Sequence, residues 1–277
     1  RDDVVLGRVK EPCYLSDLPQ RNWTGPGSDI YRATVIGDEA AWLANFEGKP
    51  EATWALEAST DYLWCAASPE RIASLARRVP VRLICITRDP VDRAISQYRH
   101  TLRDGRDETL GAALDAEETR IAQGWIPLYW HLRRSRVAAD LARYAERFGD
   151  RLLVVDYAEL STPAVLLDRI ARFLGLSPRP VETHEAYNRS VLPRSRLVRT
   201  LGASETLKSA ARAILPKALR HRIYEATHSA DAAPVPIRSE DVDRLRAELA
   251  EEIAACVRSP LIQTSGWRTA CPQSAAS

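Results

Sequence analysis

Ile86-Thr87-Arg88-Asp89-Pro90-Val91-Asp92-Arg93-Ala94-Ile95-Ser96-Gln97-Tyr98 is the stretch that decides the fold. It joins the end of an apolar, β-branched run, Val81 to Arg88, to the start of a helix. Asp89 is placed to cap that helix, and Pro90 presets its first turn. Arg88 then stands at the carboxyl end of a strand, beside a helix N-terminus, where open α/β sheets bind their ligands. A guanidinium next to free backbone N–H groups suits a phosphate. Arg93 and Ser96 share one helix face, and Ser96 can offer its hydroxyl to the same anion. The plainer alternative pairs Arg88 with Asp92 and leaves Ser96 without a role.

Leu152 to Tyr157 reads as a second strong strand, with weaker candidates at Thr53–Glu57 and Val4–Leu6. Continuous apolar strands suit a parallel sheet buried on both faces. Between them, helices are predicted over 68–77 (Ser68 as cap, Pro69 at the first position), from Asp89 onward, and over 108–122, 128–148, 164–174 and 239–257. Gly175 gives the 164–174 helix a C-terminal stop. The alternation predicts a three-layer α/β fold with a central parallel sheet. One domain is expected over 1–268, with a loop at 229–236 and a frayed tail at 269–277.

Composition fits a globular chain of 277 residues, with 45% hydrophobic and 27% charged positions. No run approaches the ~20 apolar residues of a membrane span. Basic and acidic residues number 39 and 37, so no strong field for nucleic acid arises. The five cysteines lack metal-ligand spacing and read as reduced thiols of a cytoplasmic protein, with no zinc site and no disulfide framework. Basic residues are nearly all Arg, and Ala is abundant, which points to a GC-rich, bacterial origin. Nothing here fixes an oligomeric state.

The Arg88–Tyr98 string resembles the 3′-phosphate-binding motif of the sulfotransferase family, especially its heparan-sulfate-type and related bacterial branch. Arg88, Asp89, Pro90, Arg93, Ala94, Ser96 and Tyr98 carry the match. Weaker pieces follow in order: Val9 to Leu15, Leu56 to Leu63, Glu117–Arg120, Tyr144–Phe148, Arg172 to Leu176, Asn188–Ser190, Pro193 to Arg196 and Trp267. The resemblance implies a P-loop-kinase-like sulfotransferase fold. It implies that Arg88 and Ser96 hold the 3′-phosphate of 3′-phosphoadenosine 5′-phosphosulfate (PAPS), whose product is PAP. The implied reaction moves a sulfuryl group to a hydroxyl of a small molecule, glycolipid or glycan; no metal is expected, because no His, Cys and Asp cluster has ligand spacing and Arg and Lys can neutralise the leaving group. Lys10-Glu11-Pro12 looks like the segment in which heparan-type enzymes carry a glutamate base, so Glu11 is the implied catalytic base. His100, His131 and His184 stand as alternative bases. Glu57, at a strand end, is expected to orient a Lys or Arg in the cofactor site. The tryptophans are expected mostly in the core, with Trp125 and Trp130 as candidates to face the acceptor.

Three departures matter. The family's Gly-rich 5′-phosphosulfate loop belongs upstream of Lys10 and is missing from the sequence, as is every Met; an incomplete chain is expected rather than a real loss. Position 60 is Thr where the family usually has Pro, and Ala58 stands where heparan-type members can carry a Lys. A small-molecule kinase using ATP and a nucleotide-binding pseudoenzyme remain the competing readings.

Overall fold

Four short parallel strands order the chain. In the computed structural model, residues 2–103, 108–180 and 236–270 are described, with pieces at 192–193, 216, 219, 222 and 228–229. Strand β1 (Val4–Leu6) pairs in parallel with β2 (Trp54–Leu56), Val4 opposite Trp54. Strand β3 (Leu83–Thr87) pairs in parallel with β4 (Leu152–Asp156), Leu83 opposite Leu152 and Thr87 opposite Asp156. The four expected strands are thus present and parallel, but they form two separate pairs among the described residues.

Helices fill the connections: α1 (Ser28–Thr34), α2 (Glu39–Ala44), α3 (Ser68–Ala76), α4 (Pro90–Arg103), α5 (Leu110–Asp115), α6 (Glu117–Ala122), α7 (Ala138–Phe148), α8 (Pro163–Phe173), α9 (Ser239–Glu248) and α10 (Ala250–Arg258). Helix α8 stops as expected. Gly175 has φ +70° and its N–H donates to Arg172 O, while Leu176 N–H donates to Ala171 O at 2.8 Å. Ser68, in contrast, is the first helical residue of α3 rather than its cap, and its hydroxyl makes no capping bond.

The long helices break where side chains claim backbone groups. The expected helix over 128–148 is two 3-10 turns, Pro127–Tyr129 and Arg133–Ser135, followed by α7. Gln97 and Arg93 donate to the carbonyls of Pro127, Leu128 and His131, and the N–H groups of Leu132 and Arg133 donate to Glu117. Backbone groups bonded to side chains cannot continue an i→i−4 ladder. The 108–122 helix divides at Ala116, which sets Glu117 inward, and the 239–257 helix divides at Leu249.

Two cores carry the site. Val91, Ala94, Tyr98 and Leu102 of α4 pack on Leu110, Ala113 and Leu114 of α5 and on Leu245 and Leu249. Burying such side chains stabilises by about 1.5–3 kcal/mol each. The second core joins Cys13, Leu18, Trp23, Trp64, Cys65, Ile126, Tyr129 and Trp130, under the loops that follow β1 and β2.

Candidate active site

Arg88 and Glu11 both follow the carboxyl end of a parallel strand. Arg88 follows β3, Glu11 lies in the loop after β1, Thr60 lies in the loop after β2, and Tyr157 follows β4. That edge is where open α/β folds gather ligand contacts.

Arg88 is half-buried and lies over the ring of Tyr157, its guanidinium carbon 4.5 Å from the ring centroid. A cation over an aromatic face is attracted by the ring quadrupole. Among the described residues Arg88 has no hydrogen-bond or ion-pair partner. Asp92, the alternative partner, is bonded instead to Arg268 at 2.6 Å. Ser96 is exposed on α4. Asp89 caps α4 as expected: its Oδ1 accepts from Val91 N–H at 2.9 Å and Asp92 N–H at 3.3 Å. Those N–H groups are therefore committed, and an anion here rests on side chains more than on the helix terminus. The other Asp89 oxygen accepts from the Thr269 hydroxyl at 2.8 Å, and Trp267 donates to Asp156. Thus 267–269 is stitched to the ends of β4 and α4, past the boundary expected at 268.

Glu11 has a positive φ of 56°, and Cys13 one of 52°. Non-glycine residues adopt this region rarely, and such residues gather at functional sites. The segment is pinned: Cys13 N–H donates to Ser59 Oγ at 3.1 Å, and Ile36 N–H donates to Pro12 O at 2.8 Å. Glu11 Oε2 accepts from the Thr60 hydroxyl at 2.9 Å.

Glu57 differs from expectation. Its carboxylate accepts from Trp42 Nε1 at 2.6 Å, Ser59 Oγ at 2.7 Å and the Tyr62 hydroxyl, and among the described residues no Lys or Arg is bonded to it. It braces the loop after β2 rather than a cofactor cation. Trp130 is core, packed on Trp64 and Trp23, so it does not face an acceptor. Trp125 is half-buried against Arg120 and Tyr129. Gly25 has φ +79°, and a Cβ there would meet the Trp125 ring at 2.7 Å. His100 is exposed on α4. His131 is fully buried, and neither ring nitrogen has a hydrogen-bond partner, so it serves no acceptor. Burial, with Arg93, Arg120 and Arg134 nearby, holds its imidazole down to about 3. His184, Asn188–Ser190 and Arg194–Arg196 lie outside the described residues.

A polar scaffold that sequence reading passed over joins the two halves. Arg93 donates to Ser135 Oγ at 2.8 Å, His131 O at 2.8 Å and Gln97 Oε1. Burial, with Arg134 nearby, lowers this guanidinium to about 9. Glu117, 2% exposed, accepts from Leu132 N–H at 2.8 Å and Arg133 N–H at 2.7 Å. Burial raises its carboxyl above the ordinary value, opposed by those backbone donors. The pinned 131–135 loop places Arg134 against Asp61 at 2.8 Å and Thr60 Oγ1 at 3.1 Å. Among the described residues no group of three or more His, Cys, Asp or Glu has the arrangement to hold a metal. No described helix is long and apolar enough to cross a membrane.

No protein-family model matches the chain. It is 29% identical over 186 residues to the mouse bifunctional heparan sulfate N-deacetylase/N-sulfotransferase 4, covering 63% of this chain and 21% of that protein. It is 28% identical over 138 residues to the human heparan sulfate glucosamine 3-O-sulfotransferase 3B1, covering 49% of this chain and 34% of that protein. The sequence is thus similar to sulfotransferases, the family that the Arg88–Tyr98 string resembles. It spans about a fifth to a third of the length of these two relatives. The fold agrees: a sulfotransferase from Alicyclobacillus acidocaldarius superposes with a TM-score of 0.63 and 24% identity, over 90% of this chain and 87% of that one. The chain is thus an α/β protein with parallel strands, as the alternation of elements predicts.

Proposed function

We propose that this protein is a sulfotransferase that moves a sulfuryl group from PAPS to a hydroxyl of a small molecule, glycolipid or glycan. The observation that carries the reading is Arg88: a half-buried guanidinium at the carboxyl end of β3, stacked on Tyr157 and free of any carboxylate partner among the described residues. A cation held in place without a counter-ion fits an anionic ligand such as a 3′-phosphate. When bound, PAPS supplies an activated sulfuryl group on a phosphate leaving group. On this reading Arg88 and the exposed Ser96 hydroxyl take the 3′-phosphate, and Tyr157 keeps the guanidinium aimed. Glu11, whose Oε1 has no partner among the described residues, accepts the proton of the acceptor hydroxyl. The kinship to enzymes named for heparan sulfate supports a hydroxyl- or amine-bearing glycan among the acceptors. A net charge of +2 gives no global attraction to a highly anionic polysaccharide and favours a glycolipid or natural product. Cys13, Cys65, Cys85 and Cys256 are free thiols, which supports a cytoplasmic setting, and the Arg- and Ala-rich composition supports a bacterial one.

The test is transfer of sulfur-35 from labelled PAPS to 2-naphthol, galactosylceramide and an unsulfated heparosan oligosaccharide. Label in one product, unaffected by a chelator, is expected. Phosphate transfer from ATP that collapses with chelator and returns with Mg²⁺ would establish the kinase reading instead.

A further inference from the structure

Thr60 stands at the one position of its segment where the family resemblance expects proline, which has no hydroxyl. Its Oγ1 sits between two charged groups. Arg134 Nη2 donates to it at 3.1 Å, and it donates in turn to Glu11 Oε2 at 2.9 Å. The directions are forced by inventory. A guanidinium has no acceptor, so Arg134 can only occupy a lone pair of Thr60. The single hydroxyl proton of Thr60 is then left for the carboxylate. Arg134 itself has little freedom. The same Nη2 meets Asp61 Oδ1 at 2.8 Å, and the arginine and aspartate side chains are 16% and 3% exposed. Asp61 is fixed in turn: Trp64 Nε1 donates to its Oδ1 at 2.9 Å and the Tyr31 hydroxyl to its Oδ2 at 2.6 Å. Behind Arg134, the backbone of 131–135 is held by Glu117 and by Arg93 of α4.

We propose that Arg134 and Thr60 form a positioning relay that fixes the Glu11 carboxylate, and that through the 131–135 loop this relay ties the base to α4, the helix carrying Ser96. The proposal rests on the reading of Glu11 as the base. Glu11 is on a strained loop whose backbone alone leaves the side chain several rotamers. The relay selects one and presents Oε1 outward. Arg134 and Thr60 touch no reacting atom on this account. They act on turnover through Glu11 only.

Removing Arg134 outright would leave the buried Asp61 unpaired and endanger folding. Thr60→Val is therefore the primary variant: it keeps shape and the Arg134–Asp61 pair, and deletes the hydroxyl. Two readouts follow, on the full chain. In crystal structures, Glu11 should lose its single orientation in Thr60→Val and keep it in Thr60→Ser. A Glu11 carboxylate unmoved in Thr60→Val overturns the relay. In turnover with the acceptor found above, Thr60→Val should lower kcat by at least about tenfold with the KM for PAPS unchanged, because misplaced catalytic groups cost that much or more. Thr60→Ser should recover it. On a Glu11→Gln background Thr60→Val should have no further effect; multiplying losses would also overturn the relay. Arg134→Lys should match Thr60→Val and add nothing to it. Wild-type turnover in Glu11→Gln alone would instead remove Glu11 as the base, an outcome separable from the structural result.

Discussion

His131 gives the sharpest test of the packing beneath the site. Its ring is fully buried, neither nitrogen has a partner, and it faces Arg93, Arg120 and Arg134 with the Tyr98 ring edge-on at 6.2 Å. Burial and these cations lower its pKa from 6.5 to about 3. The folded protein therefore keeps the imidazole neutral where the unfolded chain protonates it. With the folded value below the unfolded one, the stability at stake is present above pH 6.5 and is lost as pH falls toward 3. At pH 5 the gap from the ordinary value is about 1.5 pH units, and each unit carries about 1.4 kcal/mol, so about 2 kcal/mol is lost. Other groups titrate in the same range, so the measurement is a difference. Urea unfolding of the wild type and of His131→Leu is followed at pH 7.5 and pH 5. The wild type should lose about 2 kcal/mol more than the variant. At pH 7.5 the variant should be at least as stable, since it removes two unsatisfied polar atoms. Parallel losses in both proteins would refute the reasoning, because the imidazole would then be charged or hydrogen-bonded in the fold.

Glu117→Ala should destabilise by about 3 kcal/mol or more in urea unfolding, since two bonds to a buried carboxylate are lost and their N–H donors are stranded. Glu11→Gln should cut turnover by ~10²–10⁴-fold while leaving PAP affinity, read by calorimetry, nearly intact. Ser96→Ala should weaken PAP less than loss of Arg88 does, as the serine hydroxyl can donate one hydrogen bond to the phosphate where the guanidinium can donate two and also carries a positive charge.

The existence of the strands and the placing of Arg88 at the carboxyl end of β3 were legible because β-branched runs and an Asp-Pro helix start are local signals. Asp89 capping α4 and Gly175 ending α8 follow from the same local chemistry. What was not legible depends on contacts distant in sequence. The 128–148 segment has helical periodicity, yet Arg93, Gln97 and Glu117 draw off its backbone groups from 15 or more residues away. Glu57 reads as a cofactor-site carboxylate until Trp42, Ser59 and Tyr62 are seen to saturate it. Arg134 and Asp61 carry no motif; only folding brings residues 73 positions apart to 2.8 Å. Even so, one signal was available for Thr60: a hydroxyl where proline is usual.

Arg88, which has no counter-ion among the described residues, is proposed to receive a phosphate. Titration calorimetry with PAP on the wild type and on Arg88→Ala tests it most directly. Loss of two charge-assisted hydrogen bonds should weaken binding by at least about 30-fold, or about 2 kcal/mol. Equal affinity in the two proteins would contradict the account.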